Sequence, residues 1–129
     1  MKIERFEDLE IWKESRELCQ YIHILTFKEQ FSKDYKLKDQ INGSSGSIMD
    51  NIAEGFERNG NKEFIQFLSV AKGSCGETRS QSYRAFDKQF ITNEELNDLI
   101  ERTTTISKKI SGFINYLKKS DYKGVKYKN

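Results

Sequence analysis

Apolar residues recur along most of this chain at spacings of three, four and seven, the pattern of helices that bury one face. From about Asp8 to Thr26, Leu9, Trp12, Leu18, Cys19, Ile22 and Leu25 form one such stripe, and Tyr21, Ile24 and Phe27 widen it, as a broad core face first and as contact with two neighbours or another subunit second. The period lapses between Lys28 and Leu37 in a charged, aromatic connection. It resumes with Leu37, Ile41, Ser45, Ile48, Ile52 and Phe56, which predicts a second helix. Arg58-Asn59-Gly60-Asn61 ends it, with Gly60 expected in the left-handed conformation and Asn61 as cap of the next helix. So short a link makes the second and third helices antiparallel neighbours.

The third helix is predicted from about Lys62 to Lys88, with Phe64, Phe67, Leu68, Ala71, Cys75, Thr78, Ser82 and Ala85 inward. Thr92 and Glu95 have the spacing of a capping box and open the fourth. Leu96, Leu99, Thr103, Ile106, Ile110, Phe113 and Leu117 then give the cleanest heptad run, broadened by Ile100 and Ile114. In a hairpin turning at Gly60, Gly43 falls level with Gly76 and Gly46 with Gly73. Interior glycines cost a helix about 1 kcal/mol each, so these four predict close backbone approach between the two helices. The composition of Asn42-Gly43-Ser44-Ser45-Gly46-Ser47 alone would suit a loop. The four-residue apolar steps that run through it favour helix.

Composition supports an all-α reading. The 129 residues contain no proline, where ordinary usage would give roughly six, and this length suits one domain. At 36% hydrophobic and 33% charged, the core is thin and the solvated surface wide. No apolar run approaches membrane-spanning length and none resembles a signal peptide, so a soluble, cytoplasmic protein with no membrane partner is expected. Cys19 and Cys75 are far apart with no CxxC, and His23 is the only histidine, so neither a disulfide scaffold nor a metal site is suggested. No phosphate-binding glycine loop or nucleophile-base pair is present, and neither a cofactor nor a catalytic residue is expected.

Residues 1–119 are read as the bundle and 120–129 as a basic flexible tail. From Lys118 onward there are five lysines, Lys118, Lys119, Lys123, Lys126 and Lys128, against Asp121 alone. With Tyr122 and Tyr127 interleaved, this stretch can track phosphates and stack on unpaired bases, and Lys72, Arg79, Arg84 and Lys88 on helix surfaces would add to it. Two polar sets, Asn51, Glu54 and Arg58 and then Ser74, Glu77 and Gln81, repeat one spacing, each along one helix face. Acid-base work by Glu54 and Glu77 would need a pocket and shifted pKa values. A structural role, tying helices or subunits together, fits these sets better.

Asn51-Ile52-Ala53-Glu54-Gly55 is the most specific string of a wider resemblance. It also takes in Phe6-Glu7-Asp8-Leu9, Trp12, Gln40-Ile41, Ser47-Ile48, Arg58, Lys62-Glu63-Phe64-Ile65, Phe67-Leu68, Ala71, Gly73-Ser74, Glu77 and Gln81. On these residues, which span 5 to about 119, the chain resembles the four-helix-bundle proteins encoded in bacterial 23S ribosomal RNA intervening sequences. It departs from their usual pattern at Met49, where they have proline, and at Asn42-Gly43-Ser44-Ser45-Gly46, where they are more basic and richer in alanine. The resemblance implies an antiparallel up-and-down four-helix bundle assembled into a ring-shaped homopentamer. It also implies kinship with the accessory variability determinant of diversity-generating retroelements, which binds nucleic acid and a reverse transcriptase. The expectation is a non-enzymatic, homo-oligomeric accessory protein that contacts RNA or DNA through its basic surfaces. The rival is an oligomeric protein-binding scaffold, whose apolar contacts salt would leave unchanged.

Overall fold

In the computed structural model, which describes residues 2–120, each apolar repeat of the sequence is a helix. The elements are α1 (Glu10–Leu25), α2 (Glu29–Lys33), α3 (Tyr35–Glu57), α4 (Asn61–Asp87) and α5 (Asn93–Ser120), preceded by a 3-10 turn at Phe6–Asp8. Among the described residues there is no strand. Of the segment read as a tail, Ser120 closes α5 and the remainder lies outside the described residues.

Local chemistry explains the boundaries. The Asp8 carboxylate accepts from the backbone N–H of Glu4 (3.1 Å) and Arg5 (3.2 Å), which closes the 3-10 turn and delays the start of α1 to Glu10. Asp34 caps α3 by accepting from the Leu37 N–H at 3.0 Å. The capping box forms as expected: Thr92 N–H donates to Glu95 (2.8 Å) and Glu95 N–H to the Thr92 hydroxyl (3.1 Å). Gly60 has positive φ, but at φ 106° and ψ 159° it occupies an extended region open essentially to glycine alone, not the left-handed helical one. Asn61 is not the cap: it is the first residue of α4, and its side chain bonds elsewhere.

The connection after Lys28 holds an unpredicted element. Phe31 of α2 is buried and stacks on Phe90, ring centroids 5.2 Å apart. Lys28 pairs with Glu95 at 2.5 Å and Asp34 with Lys88 at 2.8 Å, fastening both flanks of α2. One helical turn is too short to show a hydrophobic period, which hides it from pattern reading.

The four long helices form a bundle around Leu18, Ile22, Ile41, Ile48, Ile52, Phe64, Leu68, Leu99, Ile106 and Ile110, all essentially sealed from solvent. The largest interface is α3 with α4, followed by α4 with α5, then α1 with α3 and α1 with α5. α3 continues as helix through Asn42–Ser47. The expected close approach of Gly43, Gly46, Gly73 and Gly76 is not found: a Cβ added at any of them would meet nothing within 4 Å. The faces that meet lie beside these glycines on each helix. There Ser47 meets Ser74 at 3.0 Å, and Ser44 meets Thr78 at 2.8 Å. The tight glycine is Gly55, where a Cβ would lie 2.7 Å from both Phe64 Cδ1 and Phe67 Cβ.

Candidate nucleic-acid interface

The side chain of Asn61, at the start of α4, is buried and donates from Nδ2 to the Leu117 carbonyl in the last turn of α5, at 3.1 Å. This bond satisfies one of the carbonyls a helix leaves open at its C-terminus and holds the two helix ends together. Lys62 follows Asn61, and Lys118 and Lys119 follow Leu117. All three lysines are exposed, and none has an ion-pair partner among the described residues. Lys118 and Lys119 complement the negative end of the α5 dipole, which is reason enough for them structurally. Lys62 stands at the positive end of α4 and gains nothing of that kind.

Of the predicted phosphate contacts, Lys118 and Lys119 are therefore part of α5, and Lys123, Lys126 and Lys128 lie outside the described residues. The additional cations are not gathered with them. Arg84 and Lys88 close α4 at the opposite end, about 33 and 39 Å from Lys62 at 1.5 Å per residue. Lys88 is held by Asp34, Arg84 donates to Gln40 at 3.1 Å, and Arg79 donates to Thr104 at 3.3 Å.

The two polar sets divide between seam and surface. Asn51 donates from Nδ2 to the Ser47 carbonyl (2.8 Å) and hydroxyl (2.9 Å), and Ser47 also accepts from Ser74. The Ser44 hydroxyl donates to Gln81 Oε1 at 2.6 Å beside Thr78. Asn51, Ser74 and Gln81 thus belong to a hydroxyl-rich seam between α3 and α4 with Ser44, Ser47 and Thr78; Thr78 is on the inward face that the apolar period marks, whereas Ser44 and Ser47 fall outside that period and carry no signal of their own. Glu54, Arg58 and Glu77 are exposed instead. Arg58 pairs with Glu54 at 2.8 Å and Glu63 at 3.7 Å, with its guanidinium 5.0 Å from the Phe67 ring centre.

Burial pushes the Cys75 thiol up to about 12 and raises Cys19 as well, the opposite of what a nucleophile needs. Among the described residues no group of His, Cys, Asp or Glu is placed to hold a metal ion, and no helix is long and apolar enough to cross a membrane. At the end of the bundle away from Lys62, Ile24, Phe27 and Tyr35 are 63%, 67% and 71% exposed.

The sequence profile of the family described as 23S rRNA-intervening sequence protein matches residues 7–112. Among solved structures, the chain is similar to a protein of unknown function from the S23 ribosomal protein family of Bacteroides thetaiotaomicron. The two are 24% identical with a TM-score of 0.74, over 81% of this chain and 97% of that one. None of the curated proteins matches the chain.

Proposed function

From the premise that the chain belongs to the 23S rRNA-intervening sequence protein family, we propose that it is a non-enzymatic, homo-oligomeric accessory protein of the cytoplasm that contacts RNA or DNA through its basic end. The observation that carries this reading is the Asn61–Leu117 bond, which brings the helix ends bearing Lys62 and Lys118-Lys119 together, none of the three having an ion-pair partner among the described residues. Lys123, Lys126 and Lys128 extend the same charge along the chain. The contacts between helices support an antiparallel up-and-down four-helix arrangement. Between α5 and α1 with the turn that follows it, for example, Lys109 meets Glu14, Arg102 lies over Tyr21 and Lys28 meets Glu95, one number rising as the other falls. The open glycine face of α3 and α4 supports assembly of several copies, as a ring-shaped pentamer, since helix glycines with no neighbour inside their own chain find a use in contact with another.

Fluorescence anisotropy of structured RNA and duplex DNA tests the proposal. Phosphate-dominated binding should weaken by roughly ten-fold or more between 50 and 200 mM salt. Each of Lys62→Glu, Lys118→Glu and Lys119→Glu should lower the salt slope by about one or more, and a chain ending at Leu117 should lose most binding. Absence of binding to either ligand at low salt overturns it. In that event the second reading, a scaffold for a protein partner such as a reverse transcriptase, becomes the better one, supported by exposed Ile24, Phe27 and Tyr35.

A further inference from the structure

The outer side of α5 carries one exposed ridge, set at steps of three and four residues along the helix. Its N-terminal half presents Glu94, Asn97 and Glu101, and Thr105 stands near the middle. Its C-terminal half presents Lys108, Gly112, Asn115 and Lys119. None of the charged groups of this ridge has an ion-pair partner among the described residues. A helix dipole favours acid at the start and base at the end, but only within the first and last turns. That accounts for Glu94 and Lys119 and leaves Glu101 and Lys108 unexplained. Gly112 also lacks a reason inside the chain, since a Cβ there would meet nothing within 4 Å and glycine in a helix interior weakens the helix.

This ridge is complementary to itself when turned end for end. With a two-fold axis beside Thr105, Glu101 faces a second copy's Lys108, Glu94 faces its Lys119 and Asn97 faces its Asn115. Each pair then stands within about 3 Å of level, at 1.5 Å per residue. The charges and the amides thus agree on one register. A parallel arrangement would instead set Glu against Glu and Lys against Lys. Thr105 is small and Gly112 has no side chain, so two such ridges can approach closely.

We propose that the outer ridge of α5 is a contact surface for a second copy of this chain, paired antiparallel, with Glu101 against the second copy's Lys108 on both sides of the axis. A two-fold contact uses the same patch on both copies, so each ion pair occurs twice. α5 packs on α1 and α4 and lies diagonally across the bundle from α3, which keeps the α3 side free for other contacts. The pairing therefore rests neither on the glycine face nor on the nucleic-acid reading, and of the basic end it engages Lys119 alone. A ridge of this size falls well short of the roughly 20–30 residues a side of a stable interface. The contact accordingly belongs to concentrated protein at low salt, where exposed charges are least screened.

Cross-linking of Thr105→Cys in a Cys19→Ser background tests the pairing, with the fully buried Cys75 left in place. A bis-maleimide that spans about 8–10 Å, the distance between packed helix axes, can join two thiols at this position only between copies. The cross-link is expected in concentrated protein at low salt and should fade as salt is raised. Adding Glu101→Lys or Lys108→Glu sets like charges opposite one another and should cut the yield by about ten-fold or more. An equal mixture of these two variants opposes unlike charges again and should restore the yield, which also shows that both are folded. Asn97→Cys in the same background should not cross-link to itself, because antiparallel pairing holds the two thiols about 25 Å apart along the helices. A yield indifferent to either charge reversal, a mixture no better than its components, or Asn97→Cys joining itself as readily as Thr105→Cys each overturns the proposal.

Discussion

Gly55 and the glycines at 43, 46, 73 and 76 look alike in the sequence and differ entirely in space. At Gly55 an added methyl would strike Phe67 at its Cβ, an atom that moves only with the backbone, as well as the Phe64 ring. Gly55→Ala should therefore destabilise the fold by about 1–3 kcal/mol, the usual cost of overpacking. Gly46→Ala and Gly73→Ala meet open space, so in the isolated chain each should stabilise its helix by up to about 1 kcal/mol. Thermal melts of the three variants check this, and a Gly55→Ala melt at or above that of the parent would refute the packing described. The expectation that Gly46 and Gly73 hold α3 and α4 together came from counting residues along the hairpin. Counting fixes which residues are level, while a rotation of one step about each helix axis decides whether they face one another. The hydroxyls of Ser44, Ser47, Ser74 and Thr78 occupy the facing positions instead.

Long elements were legible in the sequence and short ones were not, for a physical reason. α3, α4 and α5 repeat their apolar residues over enough turns to declare a period, and the Thr92–Glu95 box declares the start of α5 by local chemistry. α2 and the 3-10 turn are one turn each, too short to show a period; α2 is held by long-range pairs and by Phe31 on Phe90, which no local pattern contains, and the 3-10 turn by the Asp8 carboxylate. Those pairs make α2 sensitive to acid. The Lys88 ammonium, with the Leu37 N–H, holds the Asp34 carboxyl below its ordinary value. Partial burial pushes Glu95 up, but the Lys28 ammonium and the Thr92 N–H outweigh it and leave the group lowered. Groups lowered by folding contribute stability that is complete above their unfolded values, about 3.9 for Asp and 4.3 for Glu, and that is lost as pH falls through the folded ones. Asp34→Asn with Glu95→Gln keeps capping-competent side chains and removes only the charges. The double variant should melt below the parent at pH 7, and the difference should close as pH falls below about 4. A difference that is constant with pH would show that neither carboxylate is lowered by folding.

At the scale of the molecule, a net charge of only +2 conceals a division of surfaces: Lys62, Lys118 and Lys119 at one end, exposed Ile24, Phe27 and Tyr35 among further cations at the other, carboxylates along the α1–α5 seam, and small residues over α3 and α4. A single basic end with three described lysines is a weak ligand for nucleic acid. Several copies related by a ring axis parallel to the helices would place every such end on one rim, and linked weak contacts multiply. In the proposed ring the glycine face is where copies would approach closely, since an added Cβ at any of its four glycines meets nothing within 4 Å. Gly46→Leu with Gly73→Leu should therefore leave helix content and the fold of the single chain intact, because a Cβ at either position meets nothing within 4 Å, while sedimentation velocity is expected to show monomers in place of the proposed assembly. RNA affinity of that monomer at low salt should fall by about a hundred-fold or more, the scale of avidity lost when linked sites separate, although every lysine is retained. If the double variant still assembles, copies meet elsewhere. If it is monomeric and binds RNA as tightly as the parent, one basic end suffices, and the ring serves some purpose other than gathering phosphate contacts.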